Sequence, residues 1–354
     1  MRIFACEIKK LWNWRILAII VAMGVLTWFA FLSEFLRSYD SLTTHGIYGY
    51  YQNEMFGLYG ETLEPEELAE YDIPGKKAAL ISEIDEIISN EAIFAENNIY
   101  NYAQYEEFIA NSYSSGLSEE EQKIISDTVF TMKSKLDYGN SAQNLDEWYA
   151  SPLMKLKTLE ALEHTYIDYE ASLRSYIDND PRPVVVRTAE KLLQMRNANL
   201  IRYDLCRAFS LYAAVVGVFT VVAVIILIAP FLTTDRMRKL NLIQYSTKIG
   251  RRIFWLQFVA TIVSALVLSV ILIVAAYFPF LASGAGDYWG VHMMSYAVVC
   301  IQLYNITFGQ YVLILAGMTI ALSVGTACFA FTVARFSENI MMMLIKAVPV
   351  GVAV

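Results

Sequence analysis

Cysteine is scarce in this chain and badly placed for a covalent framework. The four, Cys6, Cys206, Cys300 and Cys328, lie at or near long apolar runs, and none falls between residues 7 and 205. A disulfide-stapled fold is thereby excluded for that stretch, which at about 170 residues can fold on apolar burial alone. Histidine is scarcer still. His45, His164 and His292 are not spaced with Cys, His or carboxylates as metal ligands would be, so a zinc or di-iron site is not expected. The chain has no GxSxG elbow and no GxxxxGK[ST] phosphate loop. The glycine cluster GAGDYWG at 284–290 misses the dinucleotide spacing and reads as a turn. No catalytic residue, metal ligand or cofactor site is assigned, and the chain is not expected to be an enzyme.

Charge is missing where it matters most. Hydrophobic residues make up 56% of the chain and charged ones 18%, which is outside the usual composition of a soluble domain. Residues 208–232, 253–281 and 308–334 contain no Asp, Glu, Lys or Arg, and the run Ile16 to Phe35 has only Glu34. At about 1.5 Å per residue each run can cross a hydrocarbon core of roughly 30 Å. Charge-free interiors suit spanning helices, and they lack the buried carboxylates or histidines an ion-coupled carrier would use. The first run is too long for a secretory signal, and no small-residue cleavage site follows it, so it reads as a retained anchor. The last stretch, MMMLIKAVPVGVAV, is read as the start of an incomplete fifth helix, making the chain truncated after a fourth span. An interfacial or re-entrant tail is the alternative.

The charge that is present is strongly divided. Between Asp40 and Cys206 there are 30 acidic and 13 basic side chains, a net of −17, while the rest of the chain carries +9. Arg2, Lys9, Lys10 and Arg15 precede the first run, and Arg236, Arg238, Lys239, Lys248, Arg251 and Arg252 lie between the second and third. The positive-inside rule places both groups in the cytoplasm. The expected architecture is an all-α membrane protein: a helical transmembrane bundle with a large, mostly helical extracellular domain between the first and second spans. Its parts are a cytoplasmic interfacial helix (1–15), span 1 (16–36), the extracellular domain (37–206), span 2 (207–232) and a cytoplasmic loop (233–252). Span 3 (253–281), an extracellular loop (282–307), span 4 (308–334) and a cytoplasmic turn with the incomplete helix (335–354) follow. A bacterial plasma membrane with a cytoplasmic N-terminus is the expected setting.

Within the outer domain the apolar period indicates helices. Leu80, Ile84, Ile87 and Ile88 share one face. The SEEE box at 118–121 introduces Ile124, Ile125, Val129, Met132 and Leu136. Ser151–Pro152 starts a helix carrying Leu153, Leu156, Leu159, Leu162 and Tyr166 that is expected to stop at Asp178 to Pro183. A further helix from about Val184 is expected to run through Leu192, Met195 and Leu200 straight into the second span. Tyrosines recur, as in IYGYY at 47–51 and NIYNYAQY at 98–105. They suit a ligand- or partner-binding surface, or aromatic packing between helices.

Three further patterns bear on function. Phe4, Ile8, Leu11 and Trp12 fall on one side of a helix whose other sides carry Arg2, Lys9 and Lys10, which suits an interfacial helix on the inner leaflet. Gly317, Ala321 and Gly325 repeat a small residue every fourth position, permitting close helix approach. The loop TTDRMRKLNLIQYSTKIGRR places Leu240, Leu242, Ile243 and Tyr245 on a short helix ended by Gly250. Such a helix can dock in a partner's groove; an ordinary basic loop on lipid headgroups is the alternative.

The segment DRMRKLNLIQYSTKIGRRIFWLQFVA resembles the cytoplasmic segment after the second span in type 2 ABC-transporter permeases, at Asp235, Arg236, Leu242, Ser246, Thr247, Gly250 and Arg251. EIKKLWNWR, Glu7 to Arg15, resembles the interfacial elbow helix of the same bacterial family. Asp235 stands where that family commonly has glutamate. The resemblance implies six spans per permease, two permeases per transporter (a second copy or a paralogue), and a separate ATPase subunit that binds ATP and magnesium. That subunit would grip the loop at Asp235, Leu240, Leu242, Ile243, Tyr245, Ser246, Thr247, Gly250 and Arg251. Export of a peptide, hydrophobic or lipid-like substrate follows as the expected function. The alternatives are an FtsX- or MacB-like mechanotransmission permease, which has four spans, and a sensor or scaffold without an ATPase. The lipid bilayer is an expected partner; nucleic acid is not.

Overall fold

The computed structural model describes residues 2–37, 49–112, 119–138, 145–195, 198–201, 203–237, 248–295, 302–337 and 341–343. They are consistent with an all-α membrane protein. Among the described residues four helices are long and apolar enough to cross a membrane: Trp14–Arg37, Leu205–Phe231, Arg252–Ala282 and Phe308–Arg335. The chain divides into two compact units.

The first unit comprises Met1–Arg37, Cys206–Trp289 and Phe308–Val354, and holds the four long helices. A preceding helix, Arg2–Leu11, ends at a tight corner where the Asn13 side chain accepts from the Arg15 N–H at 3.0 Å. That capping bond satisfies one free donor of the first long helix. Residues Trp28–Leu32 form a π-helical turn within this long helix. The second long helix extends over Tyr203–Met237 and the third over Lys248–Ala282, both past the apolar runs that nucleate them.

The core of this unit is built largely from small residues. Ala223, Ala260, Ala265, Ala327, Ala330 and Ala334 are buried beside Val224, Leu227, Ile228 and Phe331. Small side chains let helix backbones approach where lipid supplies no hydrophobic drive for association. Farther along the same helices the packing is aromatic. Phe209 meets Tyr277, Phe280 and Phe308 edge-on with ring centres 5.0, 5.2 and 5.6 Å away. The Tyr212 hydroxyl donates to the Ala276 carbonyl at 2.7 Å.

The second unit comprises Ser38–Leu205 and Gly290–Thr307. The helix Pro152–Tyr166 is its axis. The Ser151 hydroxyl caps it by accepting from the Met154 N–H at 3.4 Å, and Pro152 takes the first position. Leu153 and Leu156 enter one core with Ile84, Ile88, Phe94, Met132 and Leu136. Leu159, Leu162 and Tyr166 enter a second core with Met55, Leu63, Ile73 and Leu192.

Four details differ from the sequence reading. Ile124 lies 66% exposed in the helix Glu119–Leu136, while Val129, Met132 and Leu136 are buried. The buried residues repeat at steps of three and four from Ile125, and Ile124 stands about 100° off that row. The helix from Pro152 stops at Tyr166, and a new one runs Tyr169–Asn179 after Asp168, a residue type suited to a helix start. The helix Pro183–Leu192 also ends before the second long helix. There Ala198–Asn199 pairs antiparallel with Thr62–Leu63, the only strand pair among the described residues. Asn199 further binds the Met294 carbonyl and the Ser295 hydroxyl, the latter at 3.0 Å. These bonds tie the later loop to this unit, and burying Ala198 and Leu200 in the second core takes precedence over helical continuity.

Candidate functional site

The N-terminal segment, termed the elbow, forms a helix. In the helix Arg2–Leu11, Phe4, Ile8 and Leu11 stack at helical spacing, with Trp12 following at the corner. Leu11 is fully buried, and Phe4, Ile8 and Trp12 pack against the same core as Ala260, Ala334 and Phe331. The helix lies along the third long helix, and the Trp12 indole N–H donates to the Ser264 hydroxyl at 3.1 Å. The apolar face of this helix is thus packed onto protein.

Beneath that face runs a polar line the sequence reading missed. Glu7 is only 6% exposed, and its carboxylate accepts from the Lys10 ammonium at 3.0 Å and from the Gln257 amide at 3.3 Å. The Gln257 carbonyl oxygen in turn accepts from the Arg335 guanidinium at 3.3 Å. A glutamine fits between a carboxylate and a guanidinium because its amide carries both donor and acceptor. Arg335 ends the fourth long helix, where a cation complements the helix dipole. Its guanidinium carbon stands 4.5 Å from the Phe254 ring centre and 5.3 Å from that of Phe331. One chain of polar contacts therefore joins the elbow to the third and fourth long helices. The sequence held a signal for it: Glu7 is the sole acid before Glu34, and Gln257 the sole amide side chain in the run 253–281.

Of the residues expected to grip an ATPase, three lie in described helices. Asp235 lies in the last turn of the second long helix, and Gly250 and Arg251 lie in the first turn of the third. Gly250 therefore does not terminate a short helix as its C-cap; the third helix begins two residues before it, at Lys248. Glycine is tolerated there because the first turn has few intrahelical bonds to weaken. Leu240, Leu242, Ile243, Tyr245, Ser246 and Thr247 lie outside the described residues.

Gly317, Ala321 and Gly325 are exposed on the fourth long helix, and beyond the adjoining residues and the helix's own backbone nothing lies within 4 Å of where a side chain on either glycine would begin. The face packed within the chain is another one, with Ser323, Thr326, Ala327 and Ala330. A groove of about 510 Å³ along the second and fourth long helices is bordered by Gly217, Met318 and Ala321.

Several tyrosines of the second unit serve packing. Tyr51, Tyr71, Tyr102, Tyr105 and Tyr166 are buried, whereas Tyr50 and Tyr100 are exposed. Glu54 accepts from the Tyr71 hydroxyl at 2.6 Å and from Lys76 at 2.8 Å, and the Lys76 ammonium lies 3.8 Å from the centre of the Tyr71 ring. Partial burial opposes ionisation of Glu54, but the hydrogen bonds from Lys76 and Tyr71 outweigh it and hold the carboxyl below its usual range. The chain's own lysine fills this aromatic and acidic corner. Among the described residues no three His, Cys, Asp or Glu side chains are grouped to hold a metal ion. Comparison with family models, curated proteins and solved structures finds no match.

Proposed function

We propose that this chain is the membrane subunit of an ATP-driven exporter of the type 2 ABC class. The observation that carries the reading is the basic sequence segment 235–251, from the end of the second long helix to the start of the third, with its resemblance at Asp235, Arg236, Leu242, Ser246, Thr247, Gly250 and Arg251. The elbow helix, joined to the third and fourth long helices through Glu7, Gln257 and Arg335, supports it. A separate ATPase binds ATP and magnesium and grips the loop. Its closure moves the loop and, through the packed helices, the bundle as a rigid body. The cargo class is peptide, hydrophobic or lipid-like. The exposed stripe Gly317, Ala321 and Gly325 beside the groove is where a second permease, identical or paralogous, packs. Purification of the tagged full-length protein from its native membrane is expected to bring down a P-loop ATPase; recovery without any ATPase favours a sensor or scaffold.

A second reading is favoured by a specific feature, a large domain after the first long helix. This is the layout of an FtsX- or MacB-like permease, which transmits force to partners outside the membrane. In that case the ATPase co-purifies but reconstituted vesicles move no cargo.

Both readings place the protein in a bacterial plasma membrane with residues 37–206 outside. With the four native cysteines replaced by serine, Tyr100→Cys is expected to react with a membrane-impermeant maleimide in intact cells. Arg252→Cys is expected to react only after permeabilisation. The reverse pattern would invert the topology.

A further inference from the structure

Between the third and fourth long helices, beside the Glu7–Gln257–Arg335 line, lies a cleft of about 370 Å³. Its floor is Phe331, which is almost fully buried, and its walls are Phe254 and Phe258, whose ring centres stand 5.5 and 5.2 Å from that of Phe331. Trp255 and Phe336 stand at its rim, 64% and 73% exposed. Arg335 is the one charged side chain among the described residues lining it.

This combination selects a particular kind of ligand. Aromatic walls accept hydrocarbon, and the positive guanidinium beside them attracts a phosphate oxyanion. A molecule carrying both parts in one piece, and present at high concentration beside two membrane-spanning helices, is a phospholipid with a net negative headgroup. Exposed Arg252 adds positive potential at the same end of the unit, and tryptophan is favoured at the headgroup level. We propose that the cleft holds one anionic phospholipid of the surrounding bilayer, with its phosphate on Arg335 and an acyl chain lying along Phe258 and Trp255. Because Arg335 also binds Gln257, which holds Glu7, the lipid is connected to the elbow helix through two side chains. The inference needs only that the third and fourth long helices span a membrane; it does not depend on an ATPase partner.

The test uses Trp255 as the reporter. Full-length protein is placed in bilayers containing brominated phosphatidylglycerol or brominated phosphatidylcholine, and the Trp255 signal is isolated by subtracting the Trp255→Phe variant. Phosphatidylglycerol is expected to be preferred at this tryptophan by about fivefold, the ratio set by one basic residue near a lipid headgroup. Arg335→Gln is expected to bring the ratio to about one, whereas Arg335→Lys and Gln257→Ala retain a preference. Thr332→Phe, which fills the cleft and leaves the cation, is also expected to bring it to about one, and it keeps the test decisive if Arg335→Gln does not insert. Equal quenching by the two lipids in the wild type overturns the proposal. A preference that survives both Arg335→Gln and Thr332→Phe overturns it too, since it would reflect general attraction to the basic surface.

Discussion

Replacing Gln257 by leucine is expected to release the elbow helix. The substitution keeps the volume of the side chain and removes both of its polar functions. It leaves the nearly buried Glu7 carboxylate with Lys10 alone, and it takes from Arg335 its contact with the Gln257 carbonyl. Withdrawing a partner from buried charged groups costs about 2 to 4 kcal/mol in total. Because the elbow is held by one apolar face and this polar line, most of that loss should appear as local opening. Amide exchange within Arg2–Leu11 is expected to accelerate roughly 30-fold to 1,000-fold, and Trp12 fluorescence is expected to shift as its bond to Ser264 is lost. Unchanged exchange in that helix would mean that the apolar face alone holds it.

Leu159→Ala is expected to destabilise the second unit strongly. Leu159 is fully buried on the axial helix that both cores share, and deleting such a side chain costs about 2 to 5 kcal/mol, depending on how far the site collapses. Thermal unfolding of the purified protein should show an early transition confined to this unit. Ile124→Ser is the internal control: its side chain faces outward, so it should change stability by no more than about 0.5 kcal/mol. Equal effects of the two would contradict the placement of the core.

The long helices were legible because a charge-free run of such length has few alternatives, and the axial helix because Ser151–Pro152 is a strong start signal followed by leucines at helical steps. What escaped the pattern was decided by contacts distant in sequence. Ala198–Asn199 leaves the helix because Thr62–Leu63, far earlier in the chain, offers it a strand partner. The break at Ile167–Asp168 had a local signal in Asp168 and Glu170, an N-terminal residue pair, which the continuing apolar pattern masked. At the site, the elbow face was readable from Phe4, Ile8, Leu11 and Trp12, but not what it would pack on, since periodicity identifies a buried face without its partner. Glu7, Gln257 and Arg335 are 250 and 78 residues apart in successive steps, and only their rarity as polar groups in apolar surroundings marked them.

Coupling to an ATPase is decided by comparing the full-length wild-type protein with the Leu242→Asp, Ile243→Asp double variant, both purified from the native membrane. A P-loop ATPase is expected to accompany the wild type and to be lost from the variant, while membrane insertion and Trp12 fluorescence are unchanged. An ATPase that remains bound to the variant, or is absent from both preparations, would contradict the assignment of this loop as the ATPase-coupling element.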